Sequence, residues 1–213
     1  MELTKPELIQ KARRYLGRRD PVLRDVMRRV GEFSLRIESG GYEVLVRAII
    51  SQQISTAAAK TIRQRLEELM PKKKIQPESV SRLSDEQLIQ AGISTQKRGY
   101  LRDLTLKTLD GTLNFKRIAA ADDESAIEEL IMVRGVGRWT AQMYLLFSLG
   151  RPDVFAPDDL GLKNACRHLY GLSESPARAE LEELAERWAP WRSIASWYLW
   201  RAADQGLLSE RQG

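Results

Sequence analysis

Apolar residues recur at intervals of three and four positions along most of the chain, which is the spacing of amphipathic helices. No stretch alternates apolar and polar residues for long enough to indicate a β-strand. The pattern therefore predicts an all-α fold whose helices end at glycine or proline. The predicted helices cover 42–70 (one long helix or a broken pair), 84–92, 95–109, a segment capped by Asp122 or Asp123, and segments near 138–149, 158–170, 176–188 and 191–205.

The segment LIMVRGVGRWTAQ, residues 130–142, interrupts this helical pattern with two glycines. One apolar stripe precedes the break and a second follows it, so the segment predicts two helices joined as a hairpin by residues 134–137. Glycine permits positive φ and lets backbone N–H groups approach another molecule closely, and the second helix starts with its positive dipole end there. Such a turn suits a phosphate. The residues expected at this phosphate-binding turn are Gly135, Gly137, Arg138, Trp139 and Thr140.

Two adjacent aspartates, Asp158 and Asp159, follow Pro157 shortly after the predicted hairpin. Proline disfavours helix before it, and an aspartate at this place can cap the helix that continues through residues 162–169. On the residues alone, a helix cap is the simpler interpretation of either aspartate.

Composition excludes several kinds of site. The chain has 213 residues, enough for one large domain or two small lobes, with one cysteine and one histidine. A single cysteine excludes an internal disulfide and an all-cysteine iron–sulfur cluster, and a single histidine argues against a histidine-based metal site. No apolar run reaches the roughly 18 residues that a membrane span needs, and the first residues lack a signal-peptide pattern. We therefore expect an intracellular protein with no membrane partner.

Positive charge is concentrated near the N-terminus. The whole chain carries a net charge of +5, yet residues 11–30 alone contain eight basic and two acidic residues. Such a cluster can hold phosphate, or it can be a solvated helix face, and the sequence leaves both interpretations open. Three consecutive lysines at 72–74 are more typical of a loop.

Four segments, in order, resemble the helix-hairpin-helix superfamily of DNA glycosylases, which is named for its hairpin and a Gly/Pro-rich loop with an aspartate. LIMVRGVGRWTAQ is similar to the hairpin, and VFAPDDLGLKNA (154–165) is similar to the loop. RAIISQQIS (47–55) and WAPWRSIASWYLW (188–200) resemble the 3-methyladenine DNA glycosylase II, or AlkA-like, branch.

This resemblance covers most of the chain and is weakest over about the first 20 residues. It implies a single glycosylase unit, residues 1–213, with two helical lobes flanking a DNA-binding cleft. Residues 41–150 would form a helical-barrel lobe that ends in the hairpin, and residues 1–40 with 151–213 would form the second lobe.

The resemblance assigns the catalytic carboxylate to Asp159 and leaves Asp158 as the cap or a supporting group. Cleavage of an N-glycosidic bond develops positive charge on the sugar, which a fixed anion stabilises, and the same carboxylate can orient or deprotonate a water. Bifunctional relatives carry a nucleophilic lysine where this chain has Trp139. The resemblance therefore implies a monofunctional enzyme that leaves an abasic site.

The resemblance also implies a pocket for the flipped base. Trp139 and Trp200 would stack on a cationic alkylated base, whereas core packing is the favoured interpretation of the other three tryptophans. Met143 and Leu160 stand where the resemblance to the AlkA-like branch would place aromatic residues, so the pocket would be less aromatic and its range of substrates is open.

A wedge and an ion site complete the expected machinery. Gln53 matches the residue that fills the gap left by the flipped base, and Gln52 is expected to make structural hydrogen bonds. The backbone carbonyls of Ile131, Val133 and Val136 match positions that often hold a monovalent cation in the superfamily.

Together these resemblances imply hydrolysis of alkylated purines from duplex DNA by base flipping, with 3-methyladenine first and 7-methylguanine second. No cofactor is expected to be required. We expect a monomer in the cytoplasm at the nucleoid, or in the nucleus if the source is eukaryotic. Two alternatives stay open: a non-catalytic protein that binds damaged DNA, and a glycosylase for deaminated or oxidised bases.

Overall fold

A computed structural model describes residue 3, residues 5–171 and residues 176–209. Within those residues the regular structure consists of thirteen α-helices and two short 3-10 turns, with no β-strand, which confirms the predicted all-α class. The helices are α1 Pro6–Arg19, α2 Pro21–Val30, α3 Gly41–Ser51, α4 Thr56–Glu68, α5 Pro77–Ser81, α6 Asp85–Gln90, α7 Thr95–Leu109, α8 Phe115–Ala120, α9 Asp123–Ile131, α10 Arg138–Phe147, α11 Leu160–Tyr170, α12 Arg178–Glu186 and α13 Arg192–Asp204. The 3-10 turns are Pro71–Lys73 and Leu207–Ser209.

Several predicted elements are confirmed at their ends. The helix predicted over 95–109 is α7 with those bounds, and the segment 42–70 is a broken pair, α3 and α4. Ser84 caps α6, with its side chain accepting the Gln87 N–H at 3.2 Å. Of the two candidate caps for α9, Asp122 is the one that accepts the Ser125 N–H, at 2.9 Å. Over the described residues, no helix is long and apolar enough to cross a membrane.

Residues 38–144 form one compact unit. Close packing at the start of α3 explains one of its glycines, because a Cβ at Gly41 would lie 2.5 Å from the ring of Phe115 and 2.7 Å from the hydroxyl of Tyr144. Inside the unit, the hydroxyl groups of Tyr42 on α3 and Thr105 on α7 share a 2.7 Å hydrogen bond. Burial raises the pKa of Tyr42, so this pair joins α3 to α7 as neutral groups.

Residues 1–37 and 145–213 form the other compact unit. Helix α13 packs against both α2 and α11 in this unit. Trp188, Trp191 and Trp197 are all buried in this core, which confirms the interpretation of these three tryptophans as packing residues.

A fully buried carboxylate, Asp20, holds three parts of this unit together. It caps α2 by accepting the Leu23 N–H at 3.0 Å, and it also accepts the Tyr170 hydroxyl at 2.6 Å and the Trp188 indole N–H at 2.8 Å. Three donors compensate the carboxylate for the loss of water. The end of α11 is thereby fixed relative to α2, which matters because α11 begins beside Asp159.

Candidate functional site

The predicted hairpin is present: α9 ends at Ile131 and α10 begins at Arg138. The turn between them is held by backbone hydrogen bonds from the Val133 N–H to the Leu130 carbonyl (3.2 Å) and from the Val136 N–H to the Val133 carbonyl (3.0 Å). The Ala141 N–H then donates to the Gly137 carbonyl at 3.0 Å. The N–H groups of the first residues of α10 therefore lie before the first hydrogen bond of this helix between an N–H and the carbonyl four residues earlier, as at any helix N-terminus.

The two glycines of this turn have different structural roles. Gly135 has φ +81°, and a Cβ there would overlap the ring of Tyr100, so both its conformation and its packing require glycine. Gly137 is exposed, does not have positive φ, and a Cβ there would meet nothing within 4 Å among the described residues. The positive φ that glycine permits is therefore used at Gly135 and not at Gly137. The space beside Gly137 stays open to an approaching molecule.

Side chains brace the hairpin from outside the turn. The Arg134 N–H donates to Asp103 Oδ2 at 2.8 Å, and Lys107 donates to the other oxygen of the same carboxylate at 2.5 Å. Burial acts to raise the pKa of Asp103, but these hydrogen bonds outweigh it and the pKa is lowered. At the start of α10, Arg138 forms an ion pair with Glu124.

The turn between α3 and α4 carries the predicted wedge. Gln53 is exposed and adopts φ +54°, a left-handed conformation that is uncommon for a residue other than glycine. Beside it, the Gln52 side-chain amide donates to the Gly135 carbonyl at 2.8 Å, which confirms the structural role expected of Gln52. The wedge turn is thus tied directly to the hairpin turn.

Lys97 is a second brace on the wedge turn, and the sequence did not reveal it. Its ammonium group donates to the Ile50 carbonyl at 2.7 Å and to the Gln52 carbonyl at 2.8 Å. Burial lowers the pKa of Lys97. By bonding both carbonyls, the ammonium group of Lys97 stabilises the left-handed turn at Gln53.

A cavity of about 500 Å³ lies beside these two turns, wholly within the unit of residues 38–144. The residues that line it include Gln53, Lys97, Tyr100, Gly135, Trp139 and Met143. Trp139 is 44% exposed, although a tryptophan usually buries most of its surface. The structure therefore brings the predicted wedge, part of the predicted base pocket and one hairpin glycine to a single concave surface.

In the other unit, Asp159 is the N-cap of α11 and is half-buried. Its Oδ1 accepts two hydrogen bonds, from the Leu162 N–H at 2.8 Å and from the Trp200 indole N–H at 2.9 Å. Asp158 is exposed and pairs with Arg178 at 3.2 Å. The assignment of the cap to Asp158 is wrong, because only residue 159 stands directly before the first helical residue, Leu160.

Trp200 is positioned by a ring on one side and a glycine on the other. Its indole stacks on Phe147 with ring centroids 5.8 Å apart and an interplanar angle of 27°. A Cβ at Gly161 would lie 3.1 Å from Asp159 Oδ1 and 3.2 Å from Trp200 Cδ1, so Gly161 leaves room for the hydrogen bond between them. Leu160, also expected in the base pocket, is 69% exposed in this unit.

The carbonyls expected to hold a monovalent cation have the chemistry for that role. Ile131 lies in the last turn of α9, where carbonyls lack an amide partner four residues on. The Val133 carbonyl accepts the Val136 N–H and keeps a second lone pair. Neutral carbonyl oxygens are the ligands that bind K⁺ in selectivity filters. Among the described residues, no group of three or more His, Cys, Asp or Glu side chains could hold a metal ion.

Comparison with known proteins places these features in a family. Residues 46–190 match the HhH-GPD superfamily of base excision DNA repair proteins. The DNA-3-methyladenine glycosylase 1 of Schizosaccharomyces pombe is 35% identical over 164 residues, which is 76% of this chain and 72% of that protein.

Two solved structures share the fold over nearly the whole chain. A DNA-3-methyladenine glycosidase from Bacillus halodurans superposes with a TM-score of 0.85 at 33% identity, covering 98% of this chain and 94% of its own. A 3-methyladenine DNA glycosylase from S. pombe in complex with abasic DNA has a TM-score of 0.84 at 30% identity, covering 95% of this chain and 100% of its own.

Proposed function

The chain belongs to the HhH-GPD superfamily of base excision DNA repair proteins, and we propose that it hydrolyses the N-glycosidic bond of alkylated purines in duplex DNA. Its relatives support the assignment as an alkylbase DNA glycosylase of base excision repair. The proposal adds the lesions, 3-methyladenine first and 7-methylguanine second, the release of the base without strand cleavage, and a role for each site residue. The observation that carries it is the carboxylate of Asp159, held by Leu162 and Trp200.

Asp159 is the catalytic residue of the proposal. When the bond to the base breaks, the sugar takes on oxocarbenium character, and an anion already fixed in place stabilises that charge without reorganising. The cap bond from Leu162 and the bond from Trp200 both engage Oδ1, so the orientation of the carboxylate is set before substrate arrives. The same group can orient or deprotonate the attacking water.

Trp139 and Trp200 supply aromatic faces for the flipped base. A purine alkylated at N3 or N7 is cationic, and a desolvated cation gains about 0.5–2 kcal/mol from each aromatic face. Trp139 is exposed at the cavity of its unit, and Trp200 is half-buried beside Asp159. Met143, at the cavity within residues 38–144, and Leu160, exposed in the other unit, are each proposed to offer apolar surface to the base.

Gln53 is the proposed wedge. Base flipping leaves a gap in the duplex, and a glutamine can fill it and hydrogen-bond the orphaned partner base. The exposure of Gln53, on a turn braced by Gln52 and Lys97, supports this role.

The hairpin binds the DNA backbone in this proposal. The N–H groups around Gly135, Gly137, Trp139 and Thr140 offer donors at a helix N-terminus, and Arg138, which pairs with Glu124, lies beside them. A monovalent cation on the carbonyls of Ile131, Val133 and Val136 would supply further positive charge for a phosphate oxygen.

The absence of a lyase step is part of the proposal. A Schiff base needs an amine with an available lone pair, and residue 139 is tryptophan. Lys97 lines the same cavity, but its ammonium group is engaged by two carbonyls. We further propose that the enzyme acts as a monomer where genomic DNA lies, in the nucleoid or the nucleus.

The test is a single-turnover base-release assay on duplexes that each carry one lesion, with Asp159→Asn and the neighbouring Asp158→Asn compared. Asparagine still caps a helix well, so Asp159→Asn should fold normally yet release 3-methyladenine at least 100-fold more slowly. Asp158→Asn should stay near the wild-type rate. An unchanged rate in Asp159→Asn removes the carboxylate from the mechanism, and covalent trapping of the protein on DNA by borohydride would contradict the monofunctional assignment.

A further inference from the structure

Helices α1 and α2 border an open, shallow groove of about 750 Å³ in the unit formed by residues 1–37 and 145–213. Five arginines line this arginine groove, and no acidic side chain among the described residues lines it. The five are Arg13, Arg14, Arg18, Arg24 and Arg28. Five of the eight basic residues counted in the sequence at 11–30 therefore meet in one groove between two helices.

Close packing of the two helices builds the floor of the groove. Gly17 on α1 is buried, and a Cβ there would lie 3.4 Å from Arg24 Cγ and 3.5 Å from Met27 Cε. The aliphatic part of Arg24 therefore crosses α1 at its glycine, which holds the side chain in place. On the side of α13, the guanidinium of Arg13 lies 5.9 Å from the centre of the Tyr198 ring.

Nearby carboxylates leave most of this charge uncompensated. Asp25 pairs with Arg28 at 2.5 Å, and the buried Asp20 is engaged by Tyr170 and Trp188. In the part of the chain that the structure describes, no carboxylate forms an ion pair with Arg14, Arg18 or Arg24. Like charges gathered in one groove repel each other and attract a partner of opposite sign.

The arrangement fits a polyanion better than a single small anion. Arg14 and Arg18 are one helical turn apart on the same face of α1, separated by a rise of about 6 Å. Arg24 reaches the same groove from α2. Such a row of guanidinium groups can contact successive phosphates, each with charge-assisted hydrogen bonds.

We propose that the arginine groove binds the sugar-phosphate backbone of duplex DNA, independently of any lesion. The inference rests on the proposed function only in taking DNA as the polyanion. The groove lies before residue 46, outside the part of the chain that matches the family, so it is a contact in addition to the hairpin. Backbone contacts carry no sequence information and add affinity for undamaged DNA. The groove therefore holds the enzyme on DNA during its search and takes no part in the chemistry.

The test compares two triple variants that remove the same charge. In the groove variant, Arg14, Arg18 and Arg24 are changed to glutamine. In the control variant, glutamine replaces Lys72, Lys73 and Lys74, which are exposed at the 3-10 turn of the other unit. Affinity for an undamaged duplex is measured between about 50 and 200 mM salt. Because each lost phosphate contact reduces the slope of log affinity against log salt by about 0.9, the groove variant should lose up to about 2.7 from that slope. Between about 50 and 200 mM salt, the fold-loss of affinity in the groove variant should therefore be roughly 40 times smaller than the fold-loss in the wild type.

The control variant, in which glutamine replaces the lysines at 72–74, should keep the wild-type slope. A third variant with Arg14, Arg18 and Arg24 changed to lysine should keep that slope as well, because the charges remain. The inference is overturned if the groove variant with glutamine keeps the wild-type slope. It is also overturned if the groove variant and the control variant at residues 72–74 lose the same amount of slope. Single-turnover base release with saturating enzyme reports on the proposed function separately. If the wild type releases no base but the groove variant still loses slope, DNA binding by the groove is supported and the proposed glycosylase function is contradicted.

Discussion

The indole N–H of Trp200 donates a 2.9 Å hydrogen bond to Asp159 Oδ1, the oxygen that also caps α11. The proposed catalytic carboxylate and an aromatic wall of the proposed base pocket are therefore one hydrogen-bonded unit. Stacking on Phe147 fixes the indole, and the cap fixes the carboxylate. Any change that moves one of the two residues is expected to move the other.

Trp200→Phe should separate the hydrogen bond from the aromatic surface, because phenylalanine can still stack on Phe147. A hydrogen bond to a charged group contributes about 1.5–3 kcal/mol, so single-turnover base release should slow roughly 10- to 100-fold with little change in DNA affinity. Trp197→Phe is the matched control, since Trp197 is buried against Phe33 and Tyr198. It should lower the free energy of unfolding by about 1–2 kcal/mol and leave the rate unchanged. Equal rates in wild type and Trp200→Phe would show that the bond does not position Asp159.

Gly161→Ala should reduce activity without reducing stability. Alanine is favoured over glycine in a helix by up to about 1 kcal/mol, but its Cβ would press on both Asp159 Oδ1 and the Trp200 ring. We expect base release to fall about tenfold while the midpoint of thermal unfolding stays the same or rises. Gly99→Ala, at an open position of α7, is the control and should raise stability with no effect on the rate. A loss of activity that merely follows a loss of stability would argue against this role for Gly161.

Much of the fold could be predicted because its signals are local. The four-segment resemblance and the helix-hairpin-helix fold are confirmed by the family match over residues 46–190 and by the solved structures. Helix α7 and the cap at Ser84 follow from periodicity and side-chain chemistry within a few residues. Helices α5 and α8, with five and six residues, are too short to show a period and went unpredicted.

The parts of the site that escaped prediction depend on contacts between distant residues. Lys97 braces a turn 45 residues earlier in the chain, and Gly161 is constrained by a tryptophan 39 residues later. The choice between Asp158 and Asp159 as the cap depended on the register of α11, which a one-residue shift reverses. Sequence patterns located the motif residues but not the residues that hold them in position.

The two hairpin glycines should respond differently to the same substitution. Gly135→Ala places a side chain at positive φ and against Tyr100, so it should lower the free energy of unfolding by more than about 2 kcal/mol. In Gly137→Ala the new Cβ meets no atom of the described residues within 4 Å and should leave the unfolding midpoint unchanged, yet the added methyl group would obstruct a DNA backbone at the start of α10. Fluorescence anisotropy with an abasic duplex should show at least tenfold weaker binding for Gly137→Ala. Wild-type affinity in that variant would place the DNA backbone away from the hairpin turn.

Lys97→Met should disable the wedge turn without touching the wedge residue. Methionine keeps the apolar volume of lysine but donates no hydrogen bond to the carbonyls of Ile50 and Gln52, so the free energy of unfolding should fall by about 1–3 kcal/mol. The left-handed turn at Gln53 then loses a brace, and base flipping, followed by the fluorescence of 2-aminopurine beside the lesion, should slow to a rate near that of Gln53→Ala.

Lys116→Met, at an exposed position of α8, is the control for the lost charge and should flip the base at the wild-type rate. If Lys97→Met slows flipping and Gln53→Ala does not, the brace serves the shape of the cavity rather than the wedge. Normal flipping in Lys97→Met would mean that the bond from Gln52 to Gly135 alone holds the turn.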